Sequence, residues 1–362
     1  MIGRKFAVGR YRRNYKRLIG SVVGLALVVT VLFFIPVPYY IATPGSAIAL
    51  KPHIDVEETK TKEQGTFMLV TVTMQNGNAA LYMYALVNPY VDLIKHEQML
   101  GADETPAEYR ERQLLQMQNS QDDALLVAFR KAQANGVDVQ VAEKLNGVRV
   151  IRTIKGSPAE KVLQPSDVIK RVDGTAVDSG EQLLTLMQQK RAGEFVTLTI
   201  QRGGKERTER MRLTKLADGR AGIGIYQSTE RTVTTSPTVR IEMDDIGGPS
   251  AGLMMALEVY NQLTGPDLTK GYHIAGTGTI DSAGKVGQIG GVTHKVAAAD
   301  KQGADIFFVP ADVGPHDSNA ADAAKKARDL GTALDIVPVK DIDEAIAYLE
   351  ALRPKRKSAP SE

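Results

Sequence analysis

Hydrophobic and polar positions change period several times along the chain, and each change marks an element. Leu18 to Ile35 (LIGSVVGLALVVTVLFFI) runs without a charge and offers no polar face, a membrane pattern and not that of a helix lying on a core. As a helix it would be about 27 Å long, close to the ~30 Å hydrocarbon thickness of a bilayer. Pro36 and Pro38 end it, and Tyr39 and Tyr40 stand where interfacial aromatics belong. Residues 43–64 are polar and irregular. Thr66 to Met74 is rich in β-branched residues and predicts a strand, with Asn76-Gly77 supplying hairpin-turn chemistry. Pro106 to Ala134 follows a mostly polar helical pattern that ends at Gly136.

Shorter alternations follow. Val148–Ile154 and Val168–Val172 predict strands, the second closed by Asp173-Gly174, with a short helix over Pro158–Val162 between them. Ser179, with Gln182 three residues on, caps a helix through Gln189. Phe195–Gln201 and Glu206–Leu213 predict a hairpin across Gly203-Gly204. Ala251 to Leu263 is strongly apolar and is stopped by Thr264-Gly265-Pro266. Lys295–Gln302 predicts a helix ended by Gly303, Ile306–Val309 and Leu334–Val339 predict buried strands, and Asp341 with Glu344 caps a last helix through Leu352.

Charge sharpens this division. Residues 1–17 hold Arg4, Lys5, Arg10, Arg12, Arg13, Lys16 and Arg17 and no acid, so the segment carries +7 of a chain whose net charge is +3, and the rest is −4. The cations predict a cytoplasmic N-terminus and an extracytoplasmic body at the cell membrane, in a single pass. The alternative is a cleaved signal peptide with Ala47 and Ala49 as a small-x-small site, but the apolar run is longer than such peptides use. A mildly acidic body argues against a nucleic-acid partner. There is no cysteine, which excludes disulfides and thiolate metal sites. The expected organisation is a basic segment 1–17, a transmembrane helix 18–38, an extracytoplasmic region 39–120, a compact α/β unit 121–216, a second α/β domain 217–349 and a basic tail 350–362.

Two segments carry candidate chemistry. Gly247–Gly252 (GGPSAG) puts a serine hydroxyl, Ser250, at the start of a buried helix, where backbone N–H groups of Gly248 and Ala251 and the helix dipole suit an oxyanion. Gly248-x-Ser250-x-Gly252 also fits an α/β-hydrolase elbow, with His273, His294 and His316 available as bases. The acidic stretch around Glu242 is a poor buried strand for that fold, and too little chain follows Ser250 for its sheet. The second segment, Gly284–Lys295 (GKVGQIGGVTHK), ends in a lysine with apolar neighbours Val292, Val296 and Ala297–Ala299. Burial among them would lower an ammonium toward the pKa of about 7–8 that a base needs. No His-Glu-x-x-His pattern and no P-loop is present, so neither a metal, an ATPase nor any other cofactor is expected.

These segments resemble known families. SPAEKVLQPSDVIKRVDG, within 121–216, resembles a PDZ domain of the permuted type attached to bacterial proteases. That resemblance implies a peptide added as a strand beside Val148–Ile154 against the Ser179–Gln189 helix, with Gly147, Val148 and Val150 as contact residues. PSAG followed by GGxxxK resembles the proteolytic domain of the Lon family over residues 240–347. It implies Ser250 as nucleophile, Lys295 as general base and Thr277 as the hydroxyl that orients the lysine. With the upstream run, the whole resembles the membrane-tethered, PDZ-containing Lon-like endopeptidases of bacteria. The implied fold class is an α/β (α+β) Lon-type proteolytic domain plus a PDZ-like domain, with one N-terminal transmembrane helix. The implied activity is ATP-independent cleavage of short or unfolded secreted and extracytoplasmic peptides and proteins. Homo-oligomerisation is left open.

Overall fold

The computed structural model describes residues 19–355 except 25, 28, 60, 89, 102–103, 217–218 and 244–245. The expected basic segment 1–17 and most of the basic tail lie outside the described residues. Residues 19–24, 26–27 and 29–34 are helical, but among the described residues no helix is long and apolar enough to cross a membrane. The expected span to residue 38 is corrected in one respect: Pro36 and Pro38 are already extended and open the first strand, as the restriction on residues before proline favours. Tyr40 is likewise no interfacial aromatic. It is buried in that strand and packs its ring 4.5 Å from His96.

Two sheets organise the body. The first is mixed, and joins segments far apart in sequence. Its strands are β1 (Pro36–Ala49), β3 (Thr66–Asn78) and β4 (Asp92–Lys95) from the start of the chain, and β14 (His273–Gly276), β17 (Ile306–Pro310) and β18 (Asp335–Val339) from its end. They lie in the order β18-β17-β14-β3-β1-β4, with β3 parallel to β14 and antiparallel to β1. Both faces are covered, so successive residues serve different cores. Phe67, Leu69 and Phe308 face the cluster built on α3 (Pro106–Ala134), α5 (Gly252–Thr264) and α8 (Ile342–Ala351). Met68, Val70 and Phe307 face α6 (Val292–Lys301) and α7 (Asn319–Leu330) on the other side. Residues 39–120 are therefore no separate region, since β1 and β3 are central to the sheet that the C-terminal half completes. Asn76-Gly77 forms no hairpin turn: β3 runs on to Asn78 and leads into α1 (Ala79–Ala85). A Cβ at Gly77 would lie 2.6 Å from the Tyr39 carbonyl, so close approach of β1 is what requires a glycine there.

The second sheet has the order β12-β5-β6-β8-β9, with β7 (Thr175–Ala176) beside β6. Its strands are β5 (Gln140–Thr153), β6 (Val168–Val172), β8 (Phe195–Arg202), β9 (Lys205–Arg212) and β12 (Ile225–Ser236), closed over a core that includes Val150, Ile169, Leu198 and Leu183 of α4 (Gly180–Gln188). A 3-10 turn over Pro158–Lys161 and the Phe195–Arg212 hairpin fall where the sequence places them. β12 does not. Sequence assigns 217–349 to the second domain, yet β12 pairs along the whole of β5, from Ile225↔Thr153 to Ser236↔Gln140. Small pairs complete the fold: β2 (Ile54–Val56) with β13 (Val239–Ile241), β10 (Thr214–Lys215) with β11 (Ala221–Gly222), and β15 (Thr279–Ile280) with β16 (Val286–Gly287). α2 (His96–Met99) is a single turn after β4.

α3 joins the two sheets. Thr105 and Glu108 form a reciprocal capping box ahead of Pro106, a start signal that fixes the helix where the sequence predicts it. One stripe (Met117, Ala124, Ala128, Phe129) is buried against the first core. Its polar side meets β12, where Arg231 lies between Asp122 and Asp123 of α3 and Glu143 of β5.

Candidate active site

Ser250 sits in the turn that leads into α5. Gly248 has φ +91°, a left-handed conformation that glycine adopts at little cost. Pro249 follows it, and the Ser250 carbonyl is held from the other side by the Gly278 N–H at 2.8 Å and the Thr277 hydroxyl at 3.0 Å. α5 is buried from Gly252 to Leu263, so the turn rests on a helix fixed in the core.

Lys295 comes from the first turns of α6, which begins at Val292, three residues earlier than the sequence predicts. Left-handed Gly291 starts that helix, and its direction carries the Lys295 side chain inward. Nζ lies 2.6 Å from Ser250 Oγ and donates a second hydrogen bond, 2.8 Å long, to Thr277 Oγ1. Thr277 is fully buried and Lys295 is 4 % exposed. Among the described residues no carboxylate pairs with this ammonium. Burial is thus unopposed and takes the Lys295 pKa down to about 7. A neutral amine in hydrogen-bond contact with a serine hydroxyl can take its proton. The three residues that the sequence singles out for chemistry are brought together.

The oxyanion donors differ from expectation. The Gly248 N–H is already committed to the Gln113 carbonyl of α3 at 2.8 Å and is not free for a substrate oxygen. The Ala251 N–H, at the start of α5, donates to no protein acceptor among the described residues. Sequence reasoning missed α3 altogether as part of the site. Besides Gln113, Ser120 donates to the Pro249 carbonyl at 3.0 Å, and Tyr109 and Met117 help line a cleft of about 670 Å3 that contains Ser250 and Lys295. The recurrent apolar positions of α3 were the available signal that one of its faces is buried. Leu69 to Val72 and Met74 of β3 form another wall, and Asp92 and Ile94 of β4 a third. His294 points its Nε2 at Asp92, 2.9 Å from Oδ2, and makes no bond to Ser250. His273 lies at the start of β14 and His316 in a loop before α7. No histidine takes the place of Lys295.

The expected peptide contacts on the PDZ-like unit are corrected. Val148 is paired with Ile169 of β6 on one edge and with Thr229 of β12 on the other. Val150 is fully buried opposite Gln227, and the Gly147 N–H donates to the Asp178 carbonyl. No edge of β5 is open for an added strand at these residues. β12 is the terminal strand of the sheet and lies beside α4, where the Gly180 N–H bonds Thr229 Oγ1 at 3.1 Å. A groove of about 290 Å3 lies there, with Leu183, Leu184 and Met187 of α4 facing Ile223 and Ile225. The alternation Gly222-Ile223-Gly224-Ile225 is the sequence signal that marks it.

Two known families match parts of the chain. Residues 124–213 match the PDZ domain family, and residues 243–352 match the Lon protease C-terminal proteolytic domain. The Lon protease of Roseiflexus castenholzii is 37 % identical over 111 residues, which cover 31 % of this chain and 13 % of that protein. Lon protease 1 of Sorangium cellulosum is 36 % identical over 115 residues, covering 32 % and 13 %. The chain thus spans about an eighth of the length of these curated relatives. The PDZ domain of the SdrC-like protein from Listeria monocytogenes is 30 % identical with a TM-score of 0.22, covering 22 % of this chain and 86 % of that one. A match to the Lon proteolytic domain that spans Ser250, Thr277 and Lys295 supports a serine endopeptidase.

Proposed function

We propose that the protein is an ATP-independent endopeptidase anchored in the cell membrane, with a Ser250–Lys295 dyad working outside the cytoplasm on short or unfolded segments. The observation that carries the reading is the 2.6 Å contact between Ser250 Oγ and a buried lysine that has no counter-ion among the described residues. Lys295, neutral, takes the Ser250 proton as Oγ attacks the peptide carbonyl. The resulting alkylammonium then gives the proton to the leaving amine, and water repeats the sequence on the acyl-enzyme. Thr277 holds Nζ in line, and the Ala251 N–H at the head of α5 meets the oxyanion. The groove between α4 and β12 takes over the peptide-docking role that the sequence assigned to β5, and selects substrates without taking part in the chemistry.

The anchor rests on the charge-free run 18–35 and the seven cations ahead of it. Where the run is described its side chains are exposed apart from that of half-buried Leu32; Val22, Val23, Leu27 and Phe33 are among the exposed ones. The test uses the full chain in detergent micelles with an unstructured peptide and EDTA, without nucleotide. Cleavage should proceed, and should vanish in Ser250→Ala. A requirement for ATP, or equal cleavage by Ser250→Ala, would sink the assignment.

A further inference from the structure

The stretch from Ala79 to Val91 (AALYMYALVNPYV) contains no charged residue, yet much of it is exposed, with Val91 at its end buried. α1 has no buried residue. Met83, Tyr84 and Tyr90 are exposed, and Leu86 and Val87 are 65 % and 80 % exposed. An exposed apolar patch of contiguous residues marks a surface meant to be covered. Its position says by what. The Ala79 N–H donates to the Ile35 carbonyl at 2.9 Å, and the Tyr82 ring packs 5.4 Å from Tyr39. The patch therefore begins where the apolar N-terminal run ends, and Phe33, Phe34 and Ile35 on that run are exposed beside it. Its tyrosines are the side chains that favour the boundary between acyl chains and headgroups. Lys326 of α7 places its ammonium 4.3 Å from the centre of the Tyr90 ring, a cation at the rim of the patch, where anionic headgroups would lie.

We infer that α1 and the loop to β4 form a second membrane contact, lying on the bilayer surface while the N-terminal run spans it. The inference rests on the anchor reading only for which side of the body meets lipid. β4 follows the patch directly, and its Asp92 and Ile94 line the cleft. Docking thus holds one lip of the cleft at the membrane surface, and the segments best placed to reach Ser250 are those emerging close to the bilayer.

Because the chain has no cysteine, a single environment-sensitive fluorophore can be attached to Val87→Cys, with Leu27→Cys and the exposed loop position Val313→Cys as references. The full chain is reconstituted into phosphatidylcholine–phosphatidylglycerol vesicles carrying a shallow lipid spin label. The Val87 probe should be blue-shifted and quenched at least about twofold, as an interfacial side chain is, while the Val313 probe is unaffected. If Leu27 is quenched and Val87 behaves like Val313, the docking inference is overturned and the anchor stands. If neither Leu27 nor Val87 is quenched, both readings fall. A blue shift at Val87 that ignores the spin label means a second protein copy covers the patch, which also overturns it. As an independent readout, Leu86→Glu with Val87→Glu should leave hydrolysis of a soluble peptide unchanged and slow cleavage of the same peptide tethered to the vesicle by a short linker. Equal rates on the tethered peptide before and after substitution would count against docking.

Discussion

Lys295 and Arg231 are both withdrawn from water, and their surroundings are opposite. Lys295 lies among alanines, valines and two hydroxyls, and among the described residues no carboxylate pairs with it. Arg231 is 13 % exposed and is ringed by Asp122, Asp123, Glu143 and the Asn119 carbonyl. Burial pushes against the charge of each. At Arg231 it is outweighed by the hydrogen bond and charge of Asp123 and then those of Asp122, so the guanidinium is held above its ordinary value. At Lys295 nothing opposes it, and the ammonium falls to about 7. The lesson is that burial alone does not decide what a cation does. Burial with partners yields a clamp, here between α3 and the PDZ-like sheet, and burial without them yields an amine that sheds its proton near neutral pH.

The largest effect expected from this contrast is on catalysis. Lys295→Arg restores a permanent charge at the site, since a guanidinium does not give up its proton in a protein. Hydrolysis of a generic unfolded peptide should fall by at least about 10³-fold, within the range general bases contribute, while thermal unfolding shows a folded protein. Turnover within tenfold of the parent would mean that Lys295 is not the base.

Replacing both cations by methionine should give stability changes of opposite sign. Arg231→Met leaves three carboxylates facing one another and should cost roughly 2–3 kcal/mol, somewhat less than a fully buried pair because the cluster meets water at its edge. Lys295→Met removes an unfavourable buried charge. A folded value of about 7 against an ordinary 10.5 corresponds to a penalty on the order of 4–5 kcal/mol at neutral pH. After allowance for the lost hydrogen bonds to Ser250 and Thr277, the variant should be more stable by about 2 kcal/mol. Urea denaturation at pH 7 measures both. A destabilised Lys295→Met protein would contradict the account of how the lysine is tuned.

The same shift sets the pH dependence. The folded value lies below that of the unfolded chain, so the cost of burying Lys295 is fully present below pH 7 and is relieved as pH rises toward 10.5. Activity moves the same way. The rate should climb close to tenfold per unit below pH 7 and level off above it, because only the neutral amine accepts a proton. A profile that falls from pH 6 to 8 would place the base elsewhere. The smallest effect belongs to Thr277→Val, which removes the hydroxyl between Nζ and the Ser250 carbonyl. A drop in kcat of about tenfold with KM unchanged is expected, at a stability cost of about 1 kcal/mol. A change confined to KM would make Thr277 a packing residue instead.

The contrast also explains what could be read from sequence. The meeting of Ser250 with Lys295 was legible because its requirements are local: glycines at a tight turn, a proline ahead of a helix, a lysine among small apolar residues. The limits of α3, Pro106 to Ala134, were legible as well, whereas α6 begins at Val292, ahead of the predicted Lys295. The Arg231 clamp was not legible, because its partners come from two segments, the Pro106–Ala134 helix and β5, and a polar stretch such as Ile225–Ser236 does not name the strand it will pair with. The same blindness to pairing made β5 look open to an added peptide, although it is paired on both sides at Val148; its apolar alternation reports a buried face and says nothing of its edges. It also made residues 39–120 look independent, although β3 meets β14 only after most of the chain has intervened.

The sheet beneath the dyad is assembled from the first and last parts of the described chain, and chains are made from the N-terminus onward. β1 and β3 exist long before α6 delivers Lys295, and β17 and β18, which complete the far edge, come later still. Until those strands dock, the pocket that dries Lys295 is unfinished. A lysine in water keeps its proton at neutral pH. If Ser250 and Lys295 act as proposed, the order of synthesis is a safety catch: the chain would be unable to cut while it is itself unfolded.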